Sequence, residues 1–255
     1  MKCPQCQNEQ SSGNFCGVCG SALSGEVVAS QSTALVTVEQ GSKDSAGKMK
    51  MYWDNSLLFL KQPLEAFRVS ESGFAQGVAT LLLYTLAFSL SIYFLANSLI
   101  KVMTFGFGEP ERLPFFETSS KIFIYSFVGV VLSLAAIMIV SKLMKLTLND
   151  REIVAQYGAL ITPFFLVNLI AVLFALSGTV TATLVLLGAS LSYALYFVPV
   201  LFIFNHGFNS QSRSYAFYGA VGTSIIISFL TYFFWKWMLI EKIDQIDSFF
   251  SGFYF

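Results

Sequence analysis

The chain is poor in charge and nearly without histidine. Only 12% of its 255 residues are Asp, Glu, Lys or Arg, and the formal net charge is zero. A soluble domain carries about twice that share of charged residues. Balanced charge leaves no electrostatic case for a nucleic-acid partner, and none is expected. A single histidine, His206, excludes the paired-histidine zinc site of a metalloprotease. Neither a glycine-rich phosphate loop nor a Gly-x-Ser-x-Gly elbow occurs, so two common routes to group-transfer and hydrolytic chemistry have no basis here. Acidic and basic residues are missing from five long apolar runs. That removes the buried ionisable groups on which proton- and ion-coupled transport usually relies. From these absences the protein is expected not to be an enzyme.

Cysteine is absent after residue 19, and before it the spacing is specific. Cys3, Cys6, Cys16 and Cys19 read C-x2-C-x9-C-x2-C, the pattern of two metal knuckles closing on one ion. Pro4 stiffens the first turn, and Gly17 and Gly20 give the second its backbone freedom. Four thiolates suit one structural, tetrahedral Zn²⁺ with no open position for substrate. So short a segment buries too little apolar surface to fold unaided, and metal binding would supply on the order of 10 kcal/mol or more. A pair of disulfides is the alternative in an oxidising compartment. The motif starts directly at Met1-Lys2-Cys3, which reads as no secretory leader and favours reduced thiolates. Cys3-Pro4-x-Cys6 followed by Phe15-Cys16-x-x-Cys19-Gly20 resembles the short zinc-ribbon heads of many bacterial membrane proteins.

The rest divides by composition. Residues 1–23 form the expected zinc ribbon. Residues 24–48, rich in Ser, Gly, Ala, Val and Gln and without an aromatic, read as a flexible tether. In residues 49–76, Met49, Tyr52, Trp53, Leu57 and Leu60 are interleaved with Lys50, Asp54 and Lys61. Short amphipathic helices in the membrane interface, broken near Pro63, are predicted there. A five-span bundle is expected over 77–239, with spans at about 77–100, 122–141, 159–177, 180–204 and 216–235, each near the ~20 residues a spanning helix needs. Gly178 and Thr179 predict a tight hairpin between the third and fourth spans. Pro163 and Pro199 should kink their helices, with neighbouring helices or hydroxyl side chains satisfying the freed carbonyls. Small residues four apart (Gly129 with Ser133, Ala171 with Ala175, Gly188 with Ser192, Gly219 with Thr223) favour close helix packing. Asn149 with Glu152 fits a helix N-cap and its reciprocal partner. Asn168 reads as an interhelical hydrogen-bond donor and His206 as a polar boundary residue. Residues 240–255, with Glu241, Asp244 and Asp247 beside an apolar repeat, read as an amphipathic tail helix on the outer surface. The fold class is therefore an all-α integral membrane protein with a small N-terminal zinc ribbon.

An odd number of spans puts the termini on opposite sides. Lys and Arg near the spans are almost balanced, so they decide little. A reduced tetrathiolate site belongs in the cytosol, which places the N-terminus inside and the C-terminus outside a plasma membrane. The membrane portion resembles the Yip1 family in Phe59-Leu60-Lys61-Gln62-Pro63-Leu64-Glu65-Ala66-Phe67 ahead of the first span and in Tyr157-Gly158-Ala159-Leu160-Ile161-Thr162-Pro163 entering the third. That resemblance covers about residues 55–238 and implies a five-span protein with a cytosolic N-terminus, here bacterial. Together these readings predict a non-enzymatic membrane scaffold or adaptor. Its zinc head would recruit a cytosolic protein partner, and its bundle would recognise lipid or membrane proteins. The alternative is a permease or lipid-translocating protein with a regulatory zinc-binding head. Elemental analysis of freshly purified full-length protein should find one zinc per chain, and none after Cys16→Ser with Cys19→Ser. Zinc retained by that double variant would refute the four-thiolate site.

Overall fold

The computed structural model describes residue 18 and residues 45–103, 113–210 and 213–251, with no side chain beyond 240. The four cysteines and the tether as far as residue 44 lie outside the described residues. The chain divides into two units, Met1–Thr37 and Val38–Phe255, and every helix below belongs to the second. Among the described residues the secondary structure is entirely helical.

Helix α1 spans Ser45–Lys61, starting inside the segment read as tether. It stops where Pro63 forces Gln62 out of helical geometry, at φ −136° and ψ 76°. Two short 3₁₀ turns, Pro63–Arg68 and Glu71–Gly73, lead into α2 (Phe74–Met103). The expected helix and its break at Pro63 are both present, and the helix is also docked. Tyr52 shares a hydrogen bond of 3.1 Å with Thr80, Asn55 Nδ2 donates to Gln76 Oε1 at 2.9 Å, and Phe59 and Ala66 are buried.

Five helical stretches are long and apolar enough to cross a membrane. They are α2, α3 (Phe115–Leu143), α4 (Asp150–Leu176), the continuous pair α5 (Val180–Ser192) and α6 (Val198–Phe208), and α7 (Ala216–Ser251). Each contains its predicted span almost entirely and runs beyond it, by nine residues at the start of α4. The predicted tail helix exists as an unbroken extension of α7 through Ser251, so it is not a separate element.

Helix α4 is the centre of the bundle. Residues 155–162 are buried on every side, as expected of a helix apolar all round, and α4 contacts α1, α2, α3, α5 and α6. Its tightest partner is α2. A β-carbon on Gly77 would stand 2.6 Å from the Val154 carbonyl oxygen and 2.8 Å from Ala155 Cα, and one on Gly158 would overlap Gly77 itself. The two backbones therefore touch with nothing between them. The four predicted small-residue pairs behave unequally. Gly129 meets Leu195 and Gly219 meets Met144, whereas Gly188 has nothing within 4 Å of a built Cβ and takes no part in close packing.

The chain reverses between α4 and α5 through a C-terminal cap of the kind that requires a left-handed residue. Gly178 has φ +79°, its N–H donates to Ala175 O at 3.1 Å, and the Thr179 N–H donates to Phe174 O at 3.0 Å. The same pair of bonds closes α3, from Lys145 N–H to Lys142 O at 3.1 Å and from Leu146 N–H to Ser141 O at 2.9 Å. There the left-handed residue is Lys145, at φ 54°. Asn149 does occupy the N-cap of α4, but the expected reciprocal capping is not formed. Its amide donates instead to Glu71 Oε2 at 2.9 Å, tying the entry of α4 to the turn before α2.

Pro199 leaves two carbonyls without their helical partner, and both are met by neighbours. The backbone at Tyr193–Phe197 is π-helical. Proline at 199 has no N–H for the Ala194 carbonyl in the π register or for the Leu195 carbonyl in the α register. Tyr157 Oη donates to Ala194 O at 3.0 Å, and Ser133 Oγ donates to Leu195 O at 3.0 Å. Helix α4 passes Pro163 unbroken.

Gly158→Ala should destabilise the bundle by about 2 kcal/mol, the cost of overpacking a closed contact. The check is the thermal midpoint of purified protein against Gly188→Ala, which has open space and should change little.

Candidate functional site: a groove at mid-depth

Three features could carry chemistry or recognition. The first is a polar knot where the α4 entry meets the end of α6. Gln156 is only 1% exposed and is fully engaged. Its Nε2 donates to the Val69 carbonyl at 3.1 Å and to Glu152 Oε1 at 3.0 Å. Both amide protons are thereby committed, so Oε1 acts as acceptor, and its partner at 2.7 Å is His206 Nε2. The knot thus selects the tautomer of His206 that carries its proton on Nε2. The imidazole is packed against Phe202, with ring centres 4.6 Å apart, and against Phe67 at 5.9 Å. This arrangement locks the segment before α2 onto α4 and α6. His206 therefore sits at a helix end as expected, with its Nε2 committed to a structural hydrogen bond.

The second feature is a buried line of hydroxyl and amide groups between α2, α4 and α5. Asn168, fully buried, donates from Nδ2 to Tyr84 O at 3.4 Å, which is the interhelical role expected of it. Ser91 Oγ donates to Asn168 O at 3.1 Å, and Ser190 Oγ lies 3.4 Å from Tyr84 Oη. Asn168 Oδ1 has no hydrogen-bond partner among the described residues, a cost tolerated inside an otherwise satisfied polar layer.

The third feature is a groove of about 420 Å³ walled by α2, α3, the π-helical segment and α7. Phe88, Gly129 and Leu195 line it, and each stands near the midpoint of its spanning segment. These three residues put the floor of the groove at hydrocarbon depth, and from there it runs along α3 and α7 toward Ile122 and Trp235 at one membrane surface. Gly129 opens the floor, where Leu195 Cδ1 lies 3.2 Å from the position of an absent β-carbon. Tyr125, Phe234 and Trp235 supply aromatic walls, with the Tyr125 and Phe234 rings 6.4 Å apart. No acid or base lines it. Such a space can hold an apolar chain by contact and by exclusion of other lipid, with the hydroxyls of Ser126 and Thr231 as its polar points.

Among the described residues no cluster of His, Cys, Asp and Glu could hold a metal. The predicted zinc ligands Cys3, Cys6, Cys16 and Cys19 lie outside those residues, as do the side chains of Glu241, Asp244 and Asp247. Sequence reasoning did not single out Gln156, and it gave neither Tyr157 its hydrogen-bonding role nor Gly77 its close contact. The i,i+4 pair Glu152 and Gln156 was the available sign that α4, which starts after Asn149, carries a polar residue into the core.

The helices make this an all-α, multi-pass membrane protein. No family model, curated protein or solved structure matches the chain.

Gln156→Leu should lower stability by about 2 kcal/mol, because it leaves the Val69 carbonyl and the Glu152 carboxylate without their donor. The exposed Gln62→Leu serves as the comparison, and an equal thermal midpoint for the two variants would refute the bracing role.

Proposed function

We propose that the protein is a non-enzymatic, Yip1-like membrane scaffold whose bundle recognises lipid and whose N-terminal zinc head recruits a cytosolic protein partner. The observation that carries the reading is the mid-depth groove between α2, α3 and α7. It is large enough for a length of hydrocarbon and has no ionisable lining. The tetrathiolate spacing supports the recruiting head, and with reduced thiolates the N-terminus faces the cytosol of a plasma membrane.

A second reading has its own support. The π-helical turn at Tyr193–Phe197 puts irregular backbone at mid-membrane beside the groove, as the interrupted helices of transporters do. A permease or lipid-translocating protein with a regulatory head would use it as a hinge.

Three measurements separate these readings. A phospholipid with a photoreactive acyl chain, reconstituted with the full chain, should label residues 125–132 and 231–235, and Ser126→Trp should reduce that labelling at least fivefold. Proximity labelling from the head in cells should lose its cytosolic neighbours in the Cys16→Ser, Cys19→Ser variant. Identical neighbour sets would defeat the recruiting role. Movement of labelled lipid or small solutes across vesicles containing only this protein would favour the permease.

A further inference from the structure

A second groove lies at one end of the bundle, where α3 leaves and α7 enters. It has a volume of about 430 Å³ and is lined by Val140, Leu143, Gly219, Gly222 and Ile226, with Lys145, Tyr215 and Tyr218 at its polar margin. Gly222 has nothing within 4 Å of a built Cβ, so the trough is open along α7. Tyr215 and Tyr218 are 67% and 70% exposed. Tyrosine and lysine gathered where spanning helices end mark the headgroup level of a bilayer.

The basic residues here are not equivalent. Lys142 Nζ stands 3.8 Å from Asp150 Oδ1, and the Arg213 guanidinium sits 4.1 Å from the centre of the Phe208 ring. Lys145 pairs with no carboxylate among the described residues. It also occupies a backbone position that disfavours it. With φ at 54° it is the left-handed residue of the α3 cap, where glycine is the usual occupant. A side chain there costs about 1–2 kcal/mol. Strain of this kind is tolerated where the side chain has a use.

We propose that this groove binds an anionic phospholipid, with the phosphodiester at Lys145 and the phenols of Tyr215 and Tyr218, and an acyl chain along Gly222 and Ile226, beside the Met144 side chain that covers Gly219. A cation without a protein counter-ion, next to two hydrogen-bond donors and above an apolar trough, complements that headgroup and tail. A zwitterionic lipid brings a second cation to the same rim and gains less. The inference deepens the lipid-recognising half of the proposed function and rests on it.

The test uses full-length protein in mild detergent, with native mass spectrometry and thermal unfolding. Phosphatidylglycerol and phosphatidylcholine of identical acyl chains are the probes. Phosphatidylglycerol should bind about tenfold more tightly. Lys145→Gly should abolish that preference and, without lipid, raise the thermal midpoint, since glycine relieves the turn; loss of preference therefore cannot reflect unfolding. Lys142→Gln should keep the preference, and Gly222→Leu, which fills the trough, should weaken both lipids. The proposal is overturned by an unchanged preference in Lys145→Gly or by an equal loss in Lys142→Gln, which would signify diffuse charge attraction. Unaltered binding in Gly222→Leu, or stabilisation by inorganic phosphate equal to that by phosphatidylglycerol, would also overturn it. Labelling at the mid-depth groove does not depend on Lys145, so failure here leaves that result standing as a separate test of the broader reading.

Discussion

The contact of Gly77 with Gly158 sets the geometry of the bundle. Within a membrane, apolar burial gives helices little reason to associate, and close packing with interhelical hydrogen bonds takes its place. Two backbones in direct contact place α2 and α4 near enough for Asn168 to reach the Tyr84 carbonyl and for Ser91 to reach the Asn168 carbonyl. They also bring the turn before α2 within reach of Gln156 and Asn149. A single methyl group on either glycine would separate all four contacts at once.

Around that contact the protein solves the main problem of a membrane interior, the bare backbone carbonyl. The π-helical turn and Pro199 together expose Ala194 O and Leu195 O, and hydroxyls from two different helices, Tyr157 on α4 and Ser133 on α3, cover them. The irregular segment is thus bound on two sides while its outer residues line the mid-depth groove. Local irregularity and the groove have one origin: a helix that cannot complete its own hydrogen bonds needs close neighbours on one flank and leaves space on the other.

Much of this was legible in the chain. Apolar runs without charge located all five spans, Gly178 marked the hairpin, and Pro63 marked the end of α1. The carbonyls freed near Pro199 found hydroxyl partners as expected, whereas Pro163 leaves α4 unbroken. The start of α4 was legible too, since Asn149 is its N-cap, with acidic side chains in the first turn as the dipole favours; only the reciprocal bond with Glu152 is missing. Gly77 and Gly158 lie in separate spans, and a search for small residues four apart cannot pair them; that same search selected Gly188, which packs against nothing. Lys145 carries no sequence sign of a left-handed backbone, since glycine is what that position normally advertises. The zinc ligands rest on spacing alone.

Helix α7 runs for 36 residues without a break, which at 1.5 Å per residue is a rod of about 54 Å. The hydrocarbon layer of a bilayer is about 30 Å deep. Trp235, Lys236 and Trp237 belong to the headgroup level, so the surplus length falls after them. The last turns, up to Ser251, then stand clear of the lipid as a short, stiff stalk.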